Sequence, residues 1–188
     1  MAASIKGSAF QSAQADVLRL IDQGEIDLEE VGEGLTAKDR DWLDAFVTPV
    51  SWMPISTYGR LLEVLARVEG GNDPVDYLRG RGREAGKRLL GGAYQGFARA
   101  SNGLDLKGVQ IVIGVARLLY DFMQWEATAL PNGSFEIVVR EAKEYPTAAL
   151  HTAEGFLELY GELTSGRRPQ LTSTRPNADT IRILVTPQ

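Results

Sequence analysis

Cysteine is absent from all 188 residues, and histidine occurs once, at His151. Without thiols there is no disulfide, no thiolate metal site, no thiol nucleophile and no site for S-acylation. One histidine leaves zinc far from the three or four ligands a protein site supplies. Basic residues are not in excess either. Lys and Arg number 20 against 25 Asp and Glu, for a formal charge of -5, which argues against a broadly basic nucleic-acid binder but leaves room for a local patch. The longest apolar stretch, Val109 to Met123, is interrupted by Gln110, Arg117 and Asp121. It is too short and too charged to span a bilayer. The opening residues MAASIKGSAFQSAQADVLRL lack the charged, apolar and cleavage segments of a secretory signal, so the cytosol is the expected compartment.

What is present is ordinary globular composition, 44% hydrophobic and 24% charged. One domain over residues 1–188 is expected at this length. A chain this size buries about 70% of its unfolded surface and needs no staples. The first part, residues 8–125, reads as successive helices. Phe10, Ala13, Val17, Leu20 and Ile21 recur at helical spacing. Thr36 followed by Asp39 has the pattern of an N-cap with a carboxylate at the third helical position. Leu43, Phe46 and Val47 are the expected buried side of that short helix, which Pro49 ends. Pro54 suits a first helical turn, and Ile55, Tyr58, Leu62, Leu65 and Val68 form a stripe that stops at Gly70 and Gly71. Asp73 and Pro74 open the next helix as cap and first residue. A further helix is expected from Leu106 to Met123.

The texture changes after Trp125, over residues 126–186. Pro131-Asn132-Gly133 is a turn signal between WEATAL and the β-branched FEIVVR. PTAALHTAEGFLELYGELTSG then reads as a helix from Pro146 to Gly166, with Leu150, Phe156, Leu157, Tyr160 and Leu163 toward the core. PQLTSTR and DTIRILVTP follow as two strands around residues 176–179. The order is α+β, with an N-terminal helical layer on a four-stranded antiparallel sheet.

Candidate sites are few. His151 has Glu154 one turn on but no other ligand partner, which favours a structural histidine over a metal ligand. Arg79, Arg83 and Lys87 fall four apart in RGRGREAGKR and so share a helix face. They suit contact with an anionic group, but a solvated face balancing the acidic N-terminal region is the favoured reading, because Glu84 dilutes them and the chain is acidic overall. Gly80, Gly82 and Gly86 do not match a dinucleotide loop; they suit the close approach of another helix. Aromatic residues are the better functional lead. Trp52, Tyr58, Tyr94, Phe97, Tyr120 and Trp125, with polar Ser51, Ser56, Thr57 and Gln124 nearby in sequence, line either a ligand pocket or a plain core. No catalytic nucleophile pattern is present, since no G-x-S-x-G elbow occurs.

FEIVVREAKEYP, HTAEGFLELYGEL and RPQLTSTRPNADTIRILV together resemble the core of the 4-vinyl-reductase-type ligand-binding domain: hairpin, helix with a central Gly-Phe, hairpin. IKGSAF, SWMPISTYGRLLEVL and GNDPVDYLRGRGREAGKRLL resemble a myxobacterial-type domain of unknown function similar to haem–nitric-oxide-binding domains. The likeness runs from about Ile5 to Val185. The wider superfamily holds haem-based nitric oxide sensors, effector-sensing domains of bacterial activators and subunits of the TRAPP tethering complex. The resemblance implies a cytosolic, non-enzymatic sensory or regulatory module that binds a small apolar ligand or a protein partner, itself included as a homodimer. The alternative is a TRAPP-like interaction scaffold without a small-molecule ligand. Haem-binding members carry a histidine on the helix ahead of the sheet, here Leu106–Met123, which has none. Their Tyr-Ser-Arg propionate motif is absent from EIVVREAKEY, and the cysteines of zinc-bearing members are absent altogether. No haem, zinc or other cofactor is therefore expected.

Overall fold

The computed structural model describes residues 2–27, 34–91 and 105–188. Among these residues the order is β1 (Ser4–Lys6), α1 (Gly7–Asp22), α2 (Ala37–Leu43), β2 (Trp52–Pro54), α3 (Ile55–Glu69), α4 (Pro74–Gly91), α5 (Leu106–Leu119), β3 (Gln124–Ala129), β4 (Phe135–Arg140), α6 (Thr147–Ser165), β5 (Gln170–Asn177) and β6 (Thr180–Thr186). The α+β class holds, and the four strands at the C-terminal end form an antiparallel sheet in the order β3-β4-β6-β5. No helix among the described residues is long and apolar enough to cross a membrane. The chain forms two compact units, one of Met1–Leu78 with Glu144–His151, the other of Arg79–Lys143 with Thr152–Gln188.

In the first unit α1 packs on α3. Phe10, Ala13, Val17 and Leu20 of α1 and Ile55, Leu61, Leu62 and Leu65 of α3 are buried, at the helical spacing the sequence shows. Each such large side chain contributes roughly 1.5–3 kcal/mol on full burial. β1 and β2 pair antiparallel with Ile5 opposite Met53. Two strands of three residues are too short to leave a period in the sequence, so long-range pairing alone reveals them.

Helix α2 starts with a capping box. Thr36 accepts from the Asp39 backbone N–H, and the Asp39 carboxylate accepts from the Thr36 backbone N–H at 2.8 Å. That carboxylate is buried and also takes the Thr57 hydroxyl at 2.5 Å and two guanidinium donors of Arg60 at 2.6 and 2.7 Å. The same aspartate therefore caps α2 and ties it to α3. The C-terminal carbonyls of α2 are met by the buried Gln14 amide, which donates to the oxygens of Trp42, Leu43 and Ala45 at 2.9 Å each. This capture ends the helix at Leu43, before Pro49 is reached. Helical phase is lost there, and Phe46 is 94% exposed rather than buried with Leu43 and Val47.

In the second unit the sheet alternates. Trp125, Phe135, Ile137, Val139, Ile181, Ile183 and Val185 point to a buried face, while Glu126, Arg140, Arg182 and Leu184 are exposed on the other. Helix α5 packs on β3. The β5–β6 turn is shorter than the sequence suggests, because β5 runs on through Pro176 and Asn177 with an irregular register before Ala178. Helix α6 ends at Gly166, whose φ of +74° suits glycine. Leu163, in its last turn, is 56% exposed, and Ser165 and Gly166 beside it are exposed as well.

Helices α4 and α6 run in the same direction and touch through backbone. A Cβ on Gly82 would lie 1.9 Å from the Thr152 carbonyl oxygen, and one on Gly155 would lie 1.9 Å from that of Arg79. Gly86 lies under Phe156 and Leu159. Gly82 and Gly86 thus let a second helix approach, whereas Gly80, expected to do the same, has nothing within 4 Å because it faces away from α6.

Two expectations follow. Burial raises the Asp39 carboxyl pKa, but Arg60, Thr36 and Thr57, which bond its charged form, outweigh burial and hold it well below the ordinary value of 3.8. Its stabilisation is complete above that unfolded-state value and fades as pH falls through it toward the lower folded value. Asp39→Asn is expected to lose about 3 kcal/mol at neutral pH, leaving Arg60 without its counter-charge. It should also flatten the loss of stability expected of the wild type below about pH 4, as read by urea titrations at a series of pH values. Gly155→Ala, which forces backbone apart, should cost about 1–3 kcal/mol. Gly80→Ala, with nothing within 4 Å, should instead raise the melting temperature through a gain of up to about 1 kcal/mol.

Candidate functional site

Helix α5 is opened by Asp105, whose carboxylate accepts from the Gly108 N–H at 2.7 Å. It buries Gly108, Val109, Val112, Ile113, Val115 and Ala116. It stops at Leu119 because Tyr120 turns extended, at φ -123° and ψ 140°. The chain then folds back into β3, and the Tyr120 ring stacks on Trp125 at 6.3 Å between centroids with 24° between planes. Phe122 meets Tyr120 edge-on at 6.4 Å. Arg117, in the last turn of α5, donates to the Trp125 carbonyl at 2.8 Å and fixes the return. The helix expected to reach Met123 is therefore shorter, because the aromatic stack replaces its last turn.

Trp52 and Tyr58 belong to the first unit. Tyr58 is buried on α3, whereas Trp52 is 45% exposed with the Lys6 ammonium 3.7 Å above its ring. Tyr94 and Phe97 lie outside the described residues. Polar neighbours are mostly committed elsewhere. Thr57 serves Asp39, Ser51 bonds Thr48 at 2.6 Å, and Gln124 donates to Glu141 at 2.6 Å. Ser56 is exposed.

Arg79 and Arg83 do meet anions, and the anions are the chain's own. Arg79 lies 2.9 Å from Glu154 and 3.9 Å from Glu158 of α6, both carboxylates being buried. Arg83 lies 2.6 Å from Glu162, which it holds below the ordinary glutamate range. Lys87 pairs instead with Glu84 at 2.6 Å, on the exposed side. Arg79 and Arg83 thus face α6 and do not form a solvated surface. The sequence carried a signal for this: Glu154, Glu158 and Glu162 repeat every fourth residue, as do Arg79, Arg83 and Lys87. His151 is half-buried on α6, and Glu154 is turned to Arg79. Among the described residues no group of three His, Asp or Glu side chains is placed to hold a metal.

An antiparallel four-stranded sheet with an apolar helix running into its first strand, preceded in the chain by helices, defines an α+β class of fold. The particular fold is that of H-NOX proteins. The chain superposes on an Fe(II) unliganded H-NOX protein from K. algicida with a TM-score of 0.64 at 11% identity, covering 98% of this chain and 97% of that one. An H-NOX protein from S. oneidensis in the Fe(II)NO ligation state gives 0.55 at 14%, covering 98% and 99%. The I5F mutant of T. Tengcongensis H-NOX gives 0.56 at 13%, covering 97% of each. No family model and no curated protein sequence matches the chain. At these identities the likeness carries the fold alone.

Among the described residues, the buried face of α5 does not fit a protein-ligated iron porphyrin. The buried face of α5 consists of glycine, alanine, valine and isoleucine, none with a side-chain atom that ligates iron. Of the groups near the first hairpin, Arg140 lies 3.7 Å from Glu126 and the buried Tyr145 donates to the Ala149 carbonyl at 3.2 Å. The stretch EIVVREAKEY itself holds no Tyr-Ser-Arg set.

Charge reversal separates the two kinds of basic residue. Arg79→Glu sets a carboxylate against buried Glu154 and is expected to cost about 3–5 kcal/mol in denaturant unfolding. Lys87→Glu should leave the unfolding midpoint nearly unchanged.

Proposed function

We propose that the chain is a non-enzymatic sensory or regulatory module that uses the H-NOX fold without haem or zinc. Residues 1–188 act as one domain in the cytosol, alone or as a homodimer. It binds a small apolar ligand or a protein partner. The observation that carries this reading is the buried face of α5, apolar throughout and without a ligating atom, in a chain that matches Fe(II) structures of the same fold over 98% of its length. The match over whole chains supports one functional domain. An apolar occupant suits such a lining, because pockets bind chiefly by apolar area with a few polar groups for orientation. The aromatic stack of Tyr120, Phe122 and Trp125 ends that lining, so Tyr120 and Trp125 are its ligand candidates.

A protein partner is supported by a second feature. Phe46, at 94% exposure, and Val50, at 76%, accompany Trp52 on one short stretch of chain. That stretch is held in shape by Gln11 on the Val47 carbonyl at 2.6 Å and by Lys6 on the Val50 carbonyl at 3.1 Å. Apolar side chains displayed on a braced segment mark an interaction surface. Signalling then works by population shift: an effector that prefers one helix arrangement changes what the surface binds, by no more than its differential affinity.

Purified protein is expected to be colourless and to develop no saturable Soret band when haemin is titrated in. A strong one-to-one band would sink the reading. Native mass spectrometry resolves the two binding modes. A retained small molecule supports the ligand, whereas bare protein in a defined complex supports the TRAPP-like scaffold.

A further inference from the structure

Glu158 of α6 is among the most buried carboxylates of the second unit, with its side chain 5% exposed. One of its partners is Arg168, which stands on the segment between α6 and β5 and is 49% exposed. Removing one member of such a pair normally strands a buried charge, which is far costlier than losing a surface pair. Glu158, however, has other cations around it. Arg79 Nη1 lies 3.9 Å from Glu158 Oε1 while its Nη2 serves Glu154. Arg83 follows Arg79 by one helical turn and gives Nη2 to Glu162, itself one turn beyond Glu158. Its other terminal nitrogen, Nη1, is buried with no hydrogen-bond partner among the described residues. Glu162 is held down by Arg83 first and by Arg168 and Lys87 as well. Three guanidiniums therefore converge on two carboxylates one turn apart, and one buried donor is idle. An idle buried donor is itself unfavourable, so a carboxylate that becomes available would satisfy both groups.

We infer that Arg168 is a releasable latch. When it swings out, Glu158 passes to Arg79 and to the idle Nη1 of Arg83, so the latch opens without leaving a bare carboxylate inside. The strap it holds is short and lightly tied. The Gly166 N–H bonds the Glu162 carbonyl at 2.9 Å, and the Arg167 N–H reaches only the Ser165 hydroxyl at 3.4 Å. Pro169, buried and without an N–H, is the pivot that leads into β5. Opening moves this strap while the glycine-mediated contact of α4 and α6 stays shut. The geometry gives the fold a local, low-cost opening next to edge strand β5.

A double-mutant cycle tests this on the full chain. Equilibrium unfolding is measured for wild type, Arg83→Lys, Arg168→Ala and the double variant. Lysine keeps a charge for Glu162 but has a single ammonium, which does not serve two carboxylates with the fork geometry of arginine. The double variant is expected to lower the folding equilibrium constant at least about fivefold beyond the product of the single effects, a coupling in the range found for neighbours sharing one network. A smaller coupling overturns the latch. Should the double variant not fold, nuclear magnetic resonance of the Arg83 guanidinium in Arg168→Ala decides alone. Newly protected Arg83 N–H signals, with faster amide exchange at Arg167 and Arg168, support the exchange of partners, and an unchanged Arg83 spectrum overturns it.

Discussion

Two carbonyl oxygens resting where side chains would otherwise be, Thr152 against Gly82 and Arg79 against Gly155, set the geometry of the second unit. Backbone contact at this range brings α4 and α6 closer than side-chain packing allows. The charges beside the contact follow from it. Arg79 and Arg83 reach the carboxylates of α6 because the helices are close and run the same way. Glu154 and Glu158 are tolerated in the interior only because Arg79 and Arg168 accompany them, since an unaccompanied buried carboxylate costs several kcal/mol, of order the 5–15 kcal/mol total stability of a domain. The glycines weaken both helices intrinsically, and the packing they allow offsets that cost.

The first unit solves a comparable problem with polar side chains. Asp39 is a cap, a hydrogen-bond acceptor for Thr57 and the counter-ion of Arg60 all at once. Gln14 closes the other end of α2. Both helix ends are thereby satisfied from within the unit, and the chain from residue 44 to 51 is left free to display Phe46 and Val50. Stability and display come from the same few hydrogen bonds.

The chemistry of α5 separates fold from function. A shared fold does not by itself bring a cofactor, because ligation needs a donor atom and the fold needs only apolar side chains of suitable size. Valine and isoleucine meet the second requirement and fail the first.

Much of the fold was legible because local physics wrote it. The Thr36 cap, the stops at Gly70 and Gly166, the stripe from Ile55 to Leu65 and the alternation of FEIVVR and TIRILV all report structure within a few residues of themselves. So did the lack of a ligating side chain on α5, which residue identity alone determines. Other features needed the folded chain. The pairing of β1 with β2 joins residues about fifty apart. The exposure of Phe46 depends on Gln14 stopping α2 early, and which aromatic candidates share a unit depends on long-range packing. For Arg79 and Arg83, charge and spacing were visible in the sequence, but whether those charges met water, a foreign anion or Glu154 and Glu162 was decided by residues 75 and 79 positions further on. The reason is that a periodic pattern specifies which side of an element is apolar or charged, whereas the partner of that side is chosen by long-range packing that leaves no local mark.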